Sequence, residues 1–251
     1  MPAEPGGERS LPEISDRELE RLYDYPDTAG RPWVQANFVS SMDGAVAVSG
    51  RSEGLSGPTD KRIFALGRDL ADVVLVGAGT ALVERYRPVR RSTARVERRE
   101  RLGLRGIPPV AVVTRRCSLT PDSALLTDAT VAPIILTCRG APEQRKAALA
   151  EAGAEVLELG DESVDLPRAL DALAARGLRR ICCEGGPHLF GQLIADDLVD
   201  QLCLTIAPLL AGGDAGRIAV GPLPASPHAM RLASVLHDDG FLMLRYRRQR
   251  R

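Results

Sequence analysis

An imbalance of charge is missing from this chain. Its 251 residues hold 33 Lys+Arg against 33 Asp+Glu, for a formal net charge of zero. A protein whose main task is coating nucleic acid would be basic, so no nucleic-acid partner is expected. Long apolar runs are missing too: uncharged stretches reach 13 residues, as in 201–213, too short to span a bilayer. The opening residues MPAEPGGERSLPE are polar and rich in Pro and Gly, without the apolar core of a signal peptide. A cytoplasmic location away from membranes is expected. The five cysteines are odd in number and form no C-x-x-C, so neither a disulfide framework nor a zinc knuckle is indicated, and no metal is expected. Histidine is scarce: His188, His228 and His237, the last two in Pro- or Asp-rich surroundings, with no H-E-x-x-H and no Walker A sequence. Hydrolase readings therefore have little to stand on.

What is present is an ordinary globular composition, 44% apolar and 26% charged, long enough for a real core. Residues 1–14 read as a disordered tail and residues 15–251 as a single domain. Short β-branched runs at 33–39, 72–77, 110–114, 132–137, 155–159, 180–183 and 201–208 alternate with helical patterns at 59–69, 142–152, 166–176 and 187–196. This rhythm predicts an α/β fold, a central and mostly parallel sheet with helices on both faces. The run 241–247 has no helix after it and is expected as an antiparallel edge strand. Residues 85–105 hold nine arginines with Glu97 and Glu100 among them. A solvated face is the plain expectation, and a contribution to a phosphate site the functional one.

In open α/β sheets ligands bind beyond the carboxyl ends of the strands. Gly77 and Gly79 lie where a strand turns into a helix, as do Gly185 and Gly186, and small residues there let backbone N–H groups approach an anion. The third position of a dinucleotide fingerprint would be Leu82, so the ordinary Rossmann site is excluded. Glu184 ends an apolar strand just before Gly185-Gly186-Pro187, and its carboxylate is expected half-buried and aimed into the crevice. Pro187 suits the first helical position and leaves the glycine N–H groups free. Arg115, after Thr114 at a strand end, could meet a phosphate.

With these residues in view, the chain resembles the reductase domain of riboflavin biosynthesis, often the C-terminal half of a bifunctional deaminase–reductase, here in a stand-alone form of the actinobacterial type. The resemblance rests on Arg31-Pro32, Ser40-Ser41-Met42-Asp43-Gly44, Ser56-Gly57-Pro58, Arg68 before Ala71-Asp72, Val76-Gly77-Ala78-Gly79-Thr80, Glu184-Gly185-Gly186 and Ala207-Pro208. It implies a dihydrofolate-reductase-like fold and NADPH as cofactor. It also implies hydride transfer to C1′ of a ribosylamino-pyrimidine 5′-phosphate, either the uracil or its diamino-pyrimidinone analogue. A pterin or folate reductase, or an inactive nucleotide-binding relative, are the alternatives. The implied cofactor contacts are Val39, Gly54, Thr80, Glu84, Thr114 and the turn of Gly186, Pro187, His188, Leu189, Phe190, Gly191 and Gln192. Ser52, Arg68 and Glu184 would meet substrate, Arg68 at the phosphate. Glu184 and Asp43 are the expected catalytic carboxylates. After Thr80 the sequence reads Glu84-Arg85-Tyr86-Arg87-Pro88-Val89-Arg90, a departure from the family pattern, and Arg90 or Arg91 would supply the phosphate arginine. No H-x-E with P-C-x-x-C occurs, so the fused deaminase is absent from this sequence. A homodimer is expected, with 202–210 and 241–244 as candidate shared strands.

Overall fold

The computed structural model describes residues 9–10 and 14–249. Ten strands form one sheet, in the order β1-β9-β10-β8-β2-β7-β3-β4-β5-β6. The strands are β1 (Arg9–Ser10), β2 (Trp33–Ser41), β3 (Val73–Gly77), β4 (Val110–Val113), β5 (Ile134–Thr137), β6 (Glu155–Glu158), β7 (Arg180–Cys183), β8 (Gln201–Ala207), β9 (Met230–Asp238) and β10 (Phe241–Arg248). From β8 through β6 every neighbouring pair is parallel, and β10 runs antiparallel to both β8 and β9. Arg9–Ser10 pair with β9, and Ile14 is buried. The rest of the expected disordered tail lies outside the described residues.

The helices are α1 (Asp16–Tyr23), α2 (Pro58–Leu70), α3 (Ala78–Val83), α4 (Thr93–Arg101), α5 (Ala124–Thr127), α6 (Glu143–Glu151), α7 (Leu166–Ala175) and α8 (Pro187–Ala195). Local sequence sets their starts. Ser15 and Glu18 make a reciprocal capping box on α1, Asp165 caps α7 through the Arg168 N–H, and prolines open α2 and α8. In β3 successive side chains point to opposite faces. Val73 and Leu75 join the core under α7 and α8, while Val74 and Val76 join the core under α3, α5 and α6. All four are fully buried, which is why the strand is apolar throughout. A third cluster packs α1 and α2 on Cys182, Cys203, Leu236 and Met243. All five cysteines are free and buried.

Two expectations fail in the structure. The 241–247 run is not an edge: β10 lies between β8 and an unexpected strand, β9. For the same reason β8 and β10 are interior strands and cannot be shared edge-to-edge between two copies. Among the described residues no helix is long and apolar enough to cross a membrane.

Candidate functional site

At the carboxyl ends of β2, β3, β4 and β7 the sheet opens into a cavity of about 1830 Å³. Sites for single drug-sized ligands run to roughly 1,000 Å³, so this space suits a dinucleotide together with a second molecule. Of the expected residues, Val39, Ser52, Arg68, Gly77, Gly79, Thr80, Glu84, Arg90, Thr114, Arg115, Glu184, Gly186, Pro187, His188, Leu189 and Gln192 line it. Asp43, Gly54, Arg91, Gly185, Phe190 and Gly191 do not.

Glu184 follows β7, its N–H bonded to the Leu75 carbonyl at 2.9 Å. Its carboxylate accepts from Arg68 Nε on Oε1 and from Arg68 Nη2 on Oε2, both at 2.6 Å. The Tyr86 hydroxyl donates to Oε2 at 2.7 Å. The Glu184 side chain is 0% exposed and that of Arg68 18%. The carboxylate borders the cavity, as expected from sequence, but is fully rather than half buried, covered by two partners. Arg68, expected at the substrate phosphate, is engaged with Glu184. Its fork is matched bidentately to Glu184, the strongest geometry for this pair, and its guanidinium lies 4.5 Å from the Phe64 ring centroid and 5.5 Å from that of Tyr86. Burial works against the charge on Arg68, but the adjoining Glu184 carboxylate outweighs it and raises the pKa. Burial, then the negative charge of Glu184, pushes Tyr86 well above the ordinary phenol value, so it remains a proton donor.

Arg68 stands in the last turn of α2, and α4 grips that turn. Arg99, fully buried, donates to the carbonyls of Asp69 at 2.9 Å, Ala71 at 2.6 Å and Arg105 at 2.6 Å. Arg95 and Arg98 both pair with the Asp69 carboxylate, and Arg98 and Arg101 with Glu20 at 2.7 Å. The α4 part of the arginine run is thus more than a solvated face: Arg95, Arg98, Arg99 and Arg101 are all engaged, and Arg95 also lines the cavity. The helix closes the carboxyl end of α2, where cations and donors are favoured.

The other half of the cavity is built from glycine turns. Gly77 N–H donates to the Gly185 carbonyl at 2.8 Å, holding the β3 and β7 ends together. Gly185 and Gly186 have φ of +90° and +53°. A Cβ on Gly186 would lie 2.8 Å from Thr80 Oγ1, and one on Gly185 2.7 Å from the Phe38 ring. Only glycine keeps this approach open at the start of α8. Phe190 packs its ring 4.6 Å from that of Phe38, and Gly191 faces the Val220 carbonyl, so both shape the turn from behind. Glu84 Oε1 accepts the Ser52 N–H at 2.9 Å, joining the 52–55 turn to α3. Residues 50–54 spell G-x-S-x-G, yet Ser52 starts a 3-10 turn and follows no strand, so the strand-turn-helix elbow of a hydrolase is not formed.

Asp43 departs furthest from expectation. It is exposed and outside the cavity lining, and its carboxylate accepts from the Ser41 hydroxyl and from the N–H groups of Ala211 at 3.1 Å and Gly212 at 2.7 Å. Those bonds, the Ser41 one first, hold its pKa down to about 2. The arrangement fits loop tethering rather than catalysis. Conversely, Tyr86 and Phe64 were missed by sequence reasoning. The departure from the family pattern at 84–90 was the one available signal for Tyr86.

The model of the RibD C-terminal domain matches residues 32–243. This chain belongs to the RibD C-terminal domain family. A relative from Archaeoglobus fulgidus, named 2,5-diamino-6-ribosylamino-4(3H)-pyrimidinone 5′-phosphate reductase, is 32% identical over 184 residues, 73% of this chain and 83% of the relative. A solved structure of a pyrimidine reductase-like protein from Corynebacterium diphtheriae superposes with a TM-score of 0.80 at 27% identity, covering 93% of this chain and 99% of the other. The riboflavin biosynthesis protein RibD of Bacillus amyloliquefaciens is 26% identical, and the match takes in 78% of this chain but 51% of that protein. In this RibD-domain chain, Glu184 and the glycine turns share one cavity.

Proposed function

We propose that this chain is an NADPH-dependent reductase of a ribosylamino-pyrimidine 5′-phosphate in riboflavin biosynthesis. The observation that carries the reading is the joining, in one cavity, of a glycine cradle at the α8 N-terminus with the buried Arg68–Glu184–Tyr86 cluster. The cradle fits a dinucleotide. Gly186 leaves space that a Cβ would fill, and the first N–H groups of α8 have no partner within the helix and favour an anion. Thr114 and Arg115, at the end of β4, would take the adenosine 2′-phosphate. When bound, NADPH supplies a hydride.

The chain's residues would hold the substrate and the proton. Ring opening of the ribosylamine gives a C1′=N imine; hydride at C1′ and a proton on nitrogen give the ribitylamine. Arg68 and Tyr86 form the accessible face of the cluster, and Glu184 fixes both. Because the Glu184 side chain is fully covered, a pyrimidine edge would reach it only after Tyr86 or Arg68 shifts. With Arg68 engaged, Arg90, which lines the cavity, is the better phosphate partner than Arg91, which does not. The chain is further expected to be a homodimer; twice the chain mass in light scattering at micromolar concentration is the expected result. The activity test pairs purified protein with NADPH and either pyrimidine phosphate, following loss of nicotinamide absorbance. Turnover with a pyrimidine phosphate is expected. Turnover with dihydrofolate alone would overturn the assignment.

A further inference from the structure

Between β8 and β9 the chain makes a long excursion, residues 208–229, that runs from the end of β2 to the start of α8. We propose that Asp43 is a positioning residue that latches this strap across the cavity, so that Ile218 completes the wall behind the bound cofactor. The proposal rests on reading the cavity as a nicotinamide nucleotide site.

Four observations carry it. Asp43 accepts the N–H groups of Ala211 and Gly212 where the strap turns, with Gly212 and Gly213 at φ of +62° and +71°. Backbone bonds run beside that contact, Met42 N–H to the Leu209 carbonyl at 2.9 Å and Val46 N–H to the Ala215 carbonyl at 3.4 Å. At the far end, Val220 N–H donates to the Pro187 carbonyl at 2.9 Å, and a Cβ on Gly191 would lie 2.3 Å from the Val220 carbonyl oxygen. The strap is therefore seated directly on the first turns of α8. Between these anchors Ile218 enters the cavity wall and packs on the core under α7 and α8.

Apart from Ile218 and Ala219, little apolar burial reinforces those hydrogen bonds. Leu209, Leu210 and Leu223 are all exposed. Segments held by few apolar contacts are the ones that open first, and such openings gate ligand entry in many enzymes. Two N–H bonds to a carboxylate are then a large part of what keeps the strap closed.

The strap carries its own reporter. Arg217 is the only Lys or Arg within residues 208–229, and it is exposed. In the full chain without ligand, Asp43→Ala should speed tryptic cleavage after Arg217 by about 10-fold. The KM for NADPH should rise by a similar factor, with kcat at saturation held within about twofold. Asp43→Asn, which keeps one acceptor, should fall between. Amide exchange in the unmodified protein gives an independent reading, with Ala211 and Gly212 slower than Gly213. Equal cleavage rates in wild type and Asp43→Ala, with an unchanged KM, would overturn the latch. Failure of NADPH to bind the wild-type protein at all would count instead against the cofactor reading, since the ligand-free comparison decides the latch by itself.

Discussion

At the residue scale the site rests on a carboxylate held by its own protein through three hydrogen bonds. Glu184 is fully covered and matched by Arg68 and Tyr86, so removing its charge strands a buried guanidinium. Glu184→Gln should therefore lower stability by about 3 kcal/mol, as breaking a buried pair does. It should also lower turnover by about 100-fold. Arg68→Met/Glu184→Leu should recover most of the stability and none of the activity, because paired apolar replacements restore packing without restoring chemistry. Thermal melts and initial rates on the same preparations separate the two effects. Tyr86→Phe removes a neutral donor to a charged acceptor and should cost about 1.5 kcal/mol while leaving the Arg68 pair in place. The position of Glu184 beyond a strand end was readable from the apolar run before it and the Gly-Gly-Pro after it. Its partners were not, because Arg68 lies 116 residues away in sequence and only the tertiary fold brings them together.

Among the elements, α4 docks through charge rather than apolar surface. Burial works against ionisation of Glu20, but the hydrogen bonds from Arg98 and Arg101 outweigh it and hold its pKa below the ordinary 4.5. A depressed carboxylate adds stability above its ordinary value, and that contribution disappears as pH falls through the lowered one. Amide exchange in α1 and α4 should therefore accelerate on acidification below about pH 4.5 before exchange in β3 does. Simultaneous loss of protection in β3 would show that these ion pairs do not govern local docking. β3, β4 and β5 were plain in sequence because burial on both faces demands nearly unbroken apolar runs. β9 was not, since MRLASVLHD mixes charge with apolar residues. Its signal lay in the Asp239-Gly240 turn, both residues at positive φ, a strong two-residue hairpin signature. The arginine run misled for the opposite reason: composition suggests solvent, whereas carbonyls at the end of α2 make Arg99 a buried cap.

For the molecule as a whole, one sheet with cores on both faces presents the ends of β2, β3, β4 and β7 to a large cavity. Ligand binding there should report on the entire fold. NADPH at 100 times its Kd should raise the unfolding free energy by about 2.7 kcal/mol. NADH at equal concentration should do less, and Arg115→Ala should narrow the gap. Equal stabilisation by both nucleotides in wild type would remove Arg115 from the cofactor site. The most direct test of the central claim is isotopic. Purified protein, NADPH deuterated at both C4 positions and 2,5-diamino-6-ribosylamino-4(3H)-pyrimidinone 5′-phosphate are mixed, and the product is read by mass and NMR. The account predicts one deuterium at C1′ of the ribityl chain for each NADPH oxidised. Undiminished NADPH with both this substrate and its uracil analogue, or a label at any other carbon, would contradict it.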